Sequence, residues 1–141
     1  MGSLIYLLDT NILSEAIKPQ PNPNVMGRLA EFRENCATAS VVWHELHFGA
    51  ARMPASKKHR LIADYLAQLR SSHLPVLEYD NRAAEWHAEE RARLTKRGIA
   101  LPFADGQIAA IAKVNGLKLA TRNSVDFAHF NGLEVTNWFV E

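Results

Sequence analysis

Near the start of the chain, Ile5-Tyr6-Leu7-Leu8-Asp9-Thr10-Asn11 is a continuous apolar run that ends in an acid and two polar residues. A short apolar run of this kind is typical of a strand that is buried on both faces of a parallel sheet. Asp9 then lies at the carboxyl end of the first strand. In open α/β sheets this is the edge at which ligands bind. The residues that follow the other strands therefore decide whether the edge is a functional site.

Short apolar runs alternate with amphipathic stretches along the rest of the chain. The pattern predicts further strands at 36–39, 75–77, 117–120 and 133–135. It predicts helices at 11–17, from 23 or 24 onward, at 41–53, from 57 onward, at 81–97 and from 102 or 104 to 114. Ser40, Ser56 and Asp80 are placed as helix N-caps. Strands that alternate with helices favour an α/β sandwich with a mainly parallel sheet of four to five strands.

Composition limits the class of protein. The chain has 141 residues, of which 48% are hydrophobic, and 16 Lys and Arg against 15 Asp and Glu give a formal net charge of +1. These values exclude intrinsic disorder as the main state and fit a single domain over residues 1–141. The one cysteine, Cys36, excludes a disulfide framework, and it is expected to be a buried strand residue rather than a nucleophile. No apolar run approaches the length of a membrane span, so we expect a cytoplasmic protein without a membrane segment.

Four acids stand at or near the predicted carboxyl ends of the strands, namely Asp9, Glu45, Asp105 and Asp126. Carboxylates that converge repel one another and resist ionisation, and a divalent cation removes that repulsion. Oxygen ligands suit Mg²⁺ or Mn²⁺ rather than zinc. A metal-activated water could then hydrolyse a phosphodiester.

Each acid also has a purely structural interpretation. Asp9 could cap the helix that follows it, and Asp126 could be a turn residue. The negative charge of Asp105 could interact favourably with the positive end of its own helix without any metal. Glu45 could be an exposed helical acid, although its apolar neighbours Val42, Trp43, Leu46 and Phe48 indicate a mostly buried segment. We expect Trp43 and Phe48 to pack in the core. Position and spacing alone leave the metal site and these structural roles about equally open.

Four segments in register resemble the PIN-domain family, especially the VapC-type toxins and their FitB-like branch. They are Leu7-Leu8-Asp9-Thr10-Asn11, Val41-Val42-Trp43-His44-Glu45-Leu46, Phe103-Ala104-Asp105-Gly106-Gln107-Ile108-Ala109-Ala110, and Leu119-Ala120-Thr121-Arg122-Asn123 with Asp126-Phe127. The resemblance covers essentially the whole chain. It implies a three-layer α/β/α sandwich of PIN type.

The resemblance also implies an activity and its residues. It implies a ribonuclease that depends on Mg²⁺ or Mn²⁺, with Asp9, Glu45 and Asp105 at the positions of the three core acids. Thr10 or Asn11 matches the polar residue that often assists the first acid. The chain departs from the family at Asn123, where many members have Asp. Asn123 could still ligate a cation through its amide oxygen, or Asp126, three residues further on, could take the fourth acidic position; the sequence leaves both open.

Partners follow from the same resemblance. It implies an RNA substrate, a VapB-like antitoxin as inhibitor and a homodimer. Arg122, next to the proposed acids, is the best single candidate for contact with an RNA phosphate. The apolar faces with Val25, Leu29 and Phe32 and with Leu61, Tyr65 and Leu69 could form a groove for the antitoxin, or they could be ordinary core.

Two other functions stay open at this point. An aspartate-based phosphatase generally needs a second Asp two positions after the first, where this chain has Asn11. A catalytically weak PIN-like module that binds RNA or protein is favoured only by Asn123.

Overall fold

The computed structural model describes residues 3–140, and its centre is a five-stranded parallel sheet. The strands are β1 (Tyr6–Leu8), β2 (Cys36–Ala39), β3 (Val76–Leu77), β4 (Lys118–Ala120) and β5 (Val135–Thr136). Their order is β3-β2-β1-β4-β5, and every pairing is parallel. The predicted sheet is therefore confirmed. The fifth strand begins later than predicted because Val135 and Thr136 are the residues in register with Leu119 and Ala120 of β4.

Within the described residues, seven α-helices connect and flank the strands. They are α1 (Thr10–Glu15), α2 (Pro23–Glu31), α3 (Ser40–Ala51), α4 (Lys57–Ser71), α5 (Asn81–Lys96), α6 (Phe103–Val114) and α7 (Ser124–Phe127). A 3-10 turn, Arg33–Asn35, precedes β2. Within residues 3–140, no helix has both the length and the apolar composition to cross a membrane.

The helix ends follow local capping chemistry in two of the three predicted cases. Ser56 accepts a hydrogen bond from the backbone N–H of His59, and Asp80 accepts one from Ala83, so both predicted N-caps are confirmed. Ser40 is not a cap. It is the first residue of α3, Ala39 stands at the cap position, and no side chain caps the helix. The reason is that β2 runs directly into α3 without a connecting residue.

The core lies on both faces of β1 and β4. Leu7, Leu8 and Leu119 are almost fully buried, and the small residues of α6 pack closely against the sheet. Cys36 is buried as predicted, and burial raises the pKa of its thiol to about 12. The chain end closes the core through Trp138, whose ring contacts that of Tyr6 edge-on at 5.1 Å. Burying these large apolar side chains is the main favourable contribution to folding.

The strand order creates a crevice at one edge of the sheet. The chain proceeds from β1 to β2 and β3 on one side, then crosses to β4 and β5 on the other side. Because crossovers between parallel strands are right-handed, the helices before β3 pack on one face of the sheet and those after β3 pack on the other face. The sheet is therefore the middle of three layers. The order therefore reverses at β1. The carboxyl ends of β1 and β4 border the crevice in which such sheets bind ligands.

Candidate active site

Asp9 is the central acid of this crevice. It follows β1 directly and is only 7% exposed. Its Oδ1 accepts a hydrogen bond of 2.8 Å from the backbone N–H of Thr10, and its Oδ2 accepts one of 2.8 Å from the hydroxyl of Thr121. Asp9 thus caps α1 and also faces the crevice. Burial raises its pKa, against the lowering effect of these two hydrogen bonds, and the charge of Glu45 raises it further.

Glu45 reaches the site from α3. Its Oε2 accepts a hydrogen bond of 2.7 Å from the hydroxyl of Thr10, the residue that follows Asp9 in the chain. The prediction that this segment is mostly buried was wrong for Glu45 and Phe48, which are exposed, Phe48 by 55%. Val42 and Leu46 form the buried face of α3, and the other side of the helix therefore points away from the core.

Asp105 lies in the first turn of α6 and is half-buried. Burial raises its pKa to about 6, and the negative charges of Asp9, Asp126 and Glu45 add to this effect. The other three predicted acids are therefore close enough to Asp105 for their negative charges to oppose its ionisation. All ion pairs in residues 3–140 lie elsewhere, so no Lys or Arg of this part of the chain neutralises the cluster.

The donor set fits a hard divalent cation. It consists of carboxylate oxygens with hydroxyl groups nearby. In the part of the chain that the structure describes, neither Cys nor His is hydrogen-bonded to Asp9 or Glu45. Among the residues that the structure describes, no three His, Cys, Asp or Glu side chains are already spaced to enclose an ion. The charges of the other acids act on Asp105, and a bound cation would offset that repulsion.

Thr121 connects the elements of the site, and the sequence reasoning did not single it out. Its hydroxyl donates to Asp9 and accepts a hydrogen bond of 3.0 Å from the backbone N–H of Asn123. It also accepts a longer hydrogen bond of 3.4 Å from the side-chain amide of Asn11. The available signal was its position, because Thr121 is the first residue after β4.

Both candidates for the fourth acidic position lie at the short helix α7, which the sequence pattern did not predict. Asn123 precedes α7 and its side chain is exposed, whereas Asp126 is half-buried inside the helix. The charge of Asp126 acts on the carboxyl group of Asp105. In electrostatic terms, Asp126 belongs to the cluster.

Arg122 lies at the rim of the site. Its backbone N–H donates to the side-chain oxygen of Asn11 at 3.0 Å. Its guanidinium lies over the ring of Phe139, 4.7 Å from the ring centroid, and the residue is exposed. The pKa of Glu15 on α1 is lowered mainly by Lys18, and the charge of Arg122 contributes a smaller part. Arg122 is therefore open to solvent beside the site, with its guanidinium held against Phe139.

Comparisons with known proteins agree with this architecture. The family model of the PIN domain matches residues 6–133. The chain is 35% identical over 129 residues to toxin FitB of Neisseria gonorrhoeae, covering 87% of this chain and 91% of that protein. It is 33% identical over 139 residues to VapC ribonuclease Y4jK of Sinorhizobium fredii, covering 94% and 96%. The structure of FitAB bound to a DNA fragment has a TM-score of 0.88 at 29% identity, covering 97% of each chain.

Proposed function

The chain belongs to the PIN-domain family, and from this premise we propose that it is a metal-dependent endoribonuclease, the toxin of a VapBC-type toxin–antitoxin pair. One observation carries the proposal. Asp9, buried and hydrogen-bonded by Thr10 and Thr121, lies in one unneutralised acidic cluster with Glu45 and Asp105. The names of the relatives, a toxin and a VapC ribonuclease, agree with it.

We propose Mg²⁺ or Mn²⁺ as the cation, because the available donors are oxygen atoms. Asp9 and Asp105 would hold it, with Glu45 and Asp126 completing the acidic site. When bound, such a cation stabilises negative charge on a phosphate and lowers the pKa of a water molecule.

The protein side chains position these acids. The hydroxyl of Thr121 and the backbone N–H of Thr10 hold the two oxygens of Asp9 in one orientation. The hydroxyl of Thr10 orients Glu45. Since the pKa of Asp105 is about 6, a fraction of this group keeps its proton near neutral pH and can release it as a cation binds. Arg122, exposed beside Asn11, is proposed to contact a phosphate of the RNA.

An apolar groove supports the proposal of a VapB-like antitoxin as partner. The groove has a volume of about 710 Å³, and its lining includes Leu29 of α2 and Tyr65 and Leu69 of α4, all from the predicted apolar faces. An extended or helical apolar segment of the antitoxin would fill it. The homodimer and the cytoplasmic location remain predictions.

The phosphatase alternative gains no support from the site. Asn11 stands where that mechanism needs an acid, and its amide is already hydrogen-bonded to the backbone of Arg122 and to Thr121. The remaining alternative is a binding module without cleavage activity. A nuclease assay separates it from the proposal.

The test is cleavage of total RNA by wild type, Asp9→Asn and Asp64→Asn with Mg²⁺, Mn²⁺ or EDTA. Asp64 is an exposed acid on α4 and serves as the matched control for loss of one carboxylate. We expect discrete fragments from wild type and Asp64→Asn with metal, and none from Asp9→Asn or in EDTA. RNA that binds equally with and without metal and is never cut would refute the proposal in favour of the binding module.

A further inference from the structure

The ring of His87 occupies the space that a side chain at position 106 would need. A Cβ atom built on Gly106 would overlap the imidazole Nε2 and would lie 2.5 Å from Cδ2 and 2.9 Å from Cε1. Gly106 is the residue directly after Asp105 in the first turns of α6. The backbone beside a proposed metal ligand is thus in direct contact with a histidine of α5.

The imidazole of His87 is held in place. His87 is 4% exposed, and its Nδ1 shares a hydrogen bond of 2.8 Å with the hydroxyl of Tyr79. Its ring also packs against that of Phe103, the first residue of α6, with the centroids 4.8 Å apart. The imidazole therefore contacts α6 at both Phe103 and Gly106 and cannot swing aside without losing these partners.

The start of α6 has no side-chain cap of its own. Pro102 stands at the cap position, and only its carbonyl oxygen accepts hydrogen bonds from the backbone N–H groups of Asp105 and Gly106. By contrast, α4 and α5 begin with Ser56 and Asp80 as hydrogen-bonded caps. The position of the first turn of α6 therefore depends on what packs against it.

We propose that His87, held by Tyr79, is a positioning residue that sets the place of Asp105 relative to Asp9 through its contact with Gly106. This inference rests on the proposed function, because it assigns a role to Asp105 in metal binding. Such a residue touches neither metal nor substrate. Its loss lowers metal affinity and kcat rather than substrate binding.

The experiment compares wild type with Gly106→Ala, His87→Ala and the double variant. Mn²⁺ affinity of the metal-free proteins is measured by calorimetry, and RNA cleavage supplies kcat and KM. We expect Gly106→Ala to bind Mn²⁺ about tenfold more weakly or worse, and to lose kcat with KM nearly unchanged. The double variant should bind Mn²⁺ more tightly than Gly106→Ala, because removing the imidazole makes room for the new methyl group. Tyr79→Phe keeps the imidazole of His87 but removes its hydrogen bond with the Tyr79 hydroxyl, and this variant should weaken Mn²⁺ binding less than His87→Ala does.

Leu94→Ala is the matched control. Leu94 lies two turns after His87 on α5, is equally buried at 4% exposure, and lines the same small cavity. It should lower stability toward urea while leaving Mn²⁺ affinity at the wild-type value. Wild-type affinity in Gly106→Ala, or an equal loss in Leu94→Ala and His87→Ala, would overturn the inference. If Asp105→Asn itself binds Mn²⁺ as wild type does, the proposed function fails instead.

Discussion

Replacing Asp105 by Asn should stabilise the metal-free protein while it abolishes cleavage. The carboxyl group of Asp105 is half-buried near three other acids, and its pKa is raised from 3.8 to about 6, first by burial and then by those charges. The charged form is therefore disfavoured in the folded protein relative to the unfolded chain. Asparagine has nearly the same shape and carries no charge.

The size of the effect follows from the two pKa values. A change from 3.8 to about 6 corresponds to an upper limit of about 3 kcal/mol against the charged form at neutral pH. Because Asp105 is partly open to solvent, which screens its neighbours, we expect roughly 1 to 2 kcal/mol.

The pH dependence has a definite sign. Between pH 3.8 and about 6 the folded protein binds more protons at Asp105 than the unfolded chain does. The contribution of Asp105 to the free energy of unfolding therefore falls as pH rises through this window, and the penalty is complete above it. Asp105→Asn lacks this slope.

The assay is urea unfolding in EDTA at pH 5 and pH 7.5, for wild type, Asp105→Asn and Asp64→Asn. The gain in stability of Asp105→Asn over wild type should be larger at pH 7.5 than at pH 5. Asp64→Asn controls for the loss of an exposed carboxylate on α4. If Asp105→Asn is no more stable than wild type at pH 7.5, or if its gain is larger at pH 5, the electrostatic reasoning about the cluster is wrong.

Three further outcomes can be checked with simple assays. Thr121→Val should raise the pKa of Asp9, measured by carboxyl NMR titration, and cost about 1 to 3 kcal/mol of unfolding free energy, because the Oδ2 of Asp9 loses its donor. Ser56→Ala should cost about 1 kcal/mol by removing the cap of α4, with RNA cleavage unchanged. Cys36 should not react with a thiol reagent in the native protein and should react fully in denaturant, since burial suppresses the thiolate. Rapid labelling of native protein would contradict the burial of β2.

Features that depend on neighbouring residues could be predicted from the sequence. The apolar run before Asp9 gave a buried parallel strand, and the caps at Ser56 and Asp80 were correct, because capping is decided within a few residues. The rule that ligands bind at the carboxyl ends of parallel strands singled out the four acids. Their joint influence on Asp105 agrees with that selection, while their roles as metal ligands remain proposals.

Errors arose where the orientation of a whole element decides the outcome. Phe48 was placed in the core by its apolar character, but α3 turns it into solvent because Val42 and Leu46 face inward. The helix α7 is only four residues long, which is too short for a helical period to be read from the sequence.

A parallel sheet with acids at one edge could be predicted from the residues alone, because apolar runs and helix caps are patterns of neighbouring residues. The contacts that hold those acids depend on how distant elements pack. Thr121 reaches Asp9 across 112 residues, and His87 meets Gly106 from a different helix. Such contacts are set by the packing of elements far apart in the chain, and no local pattern of residues specifies them.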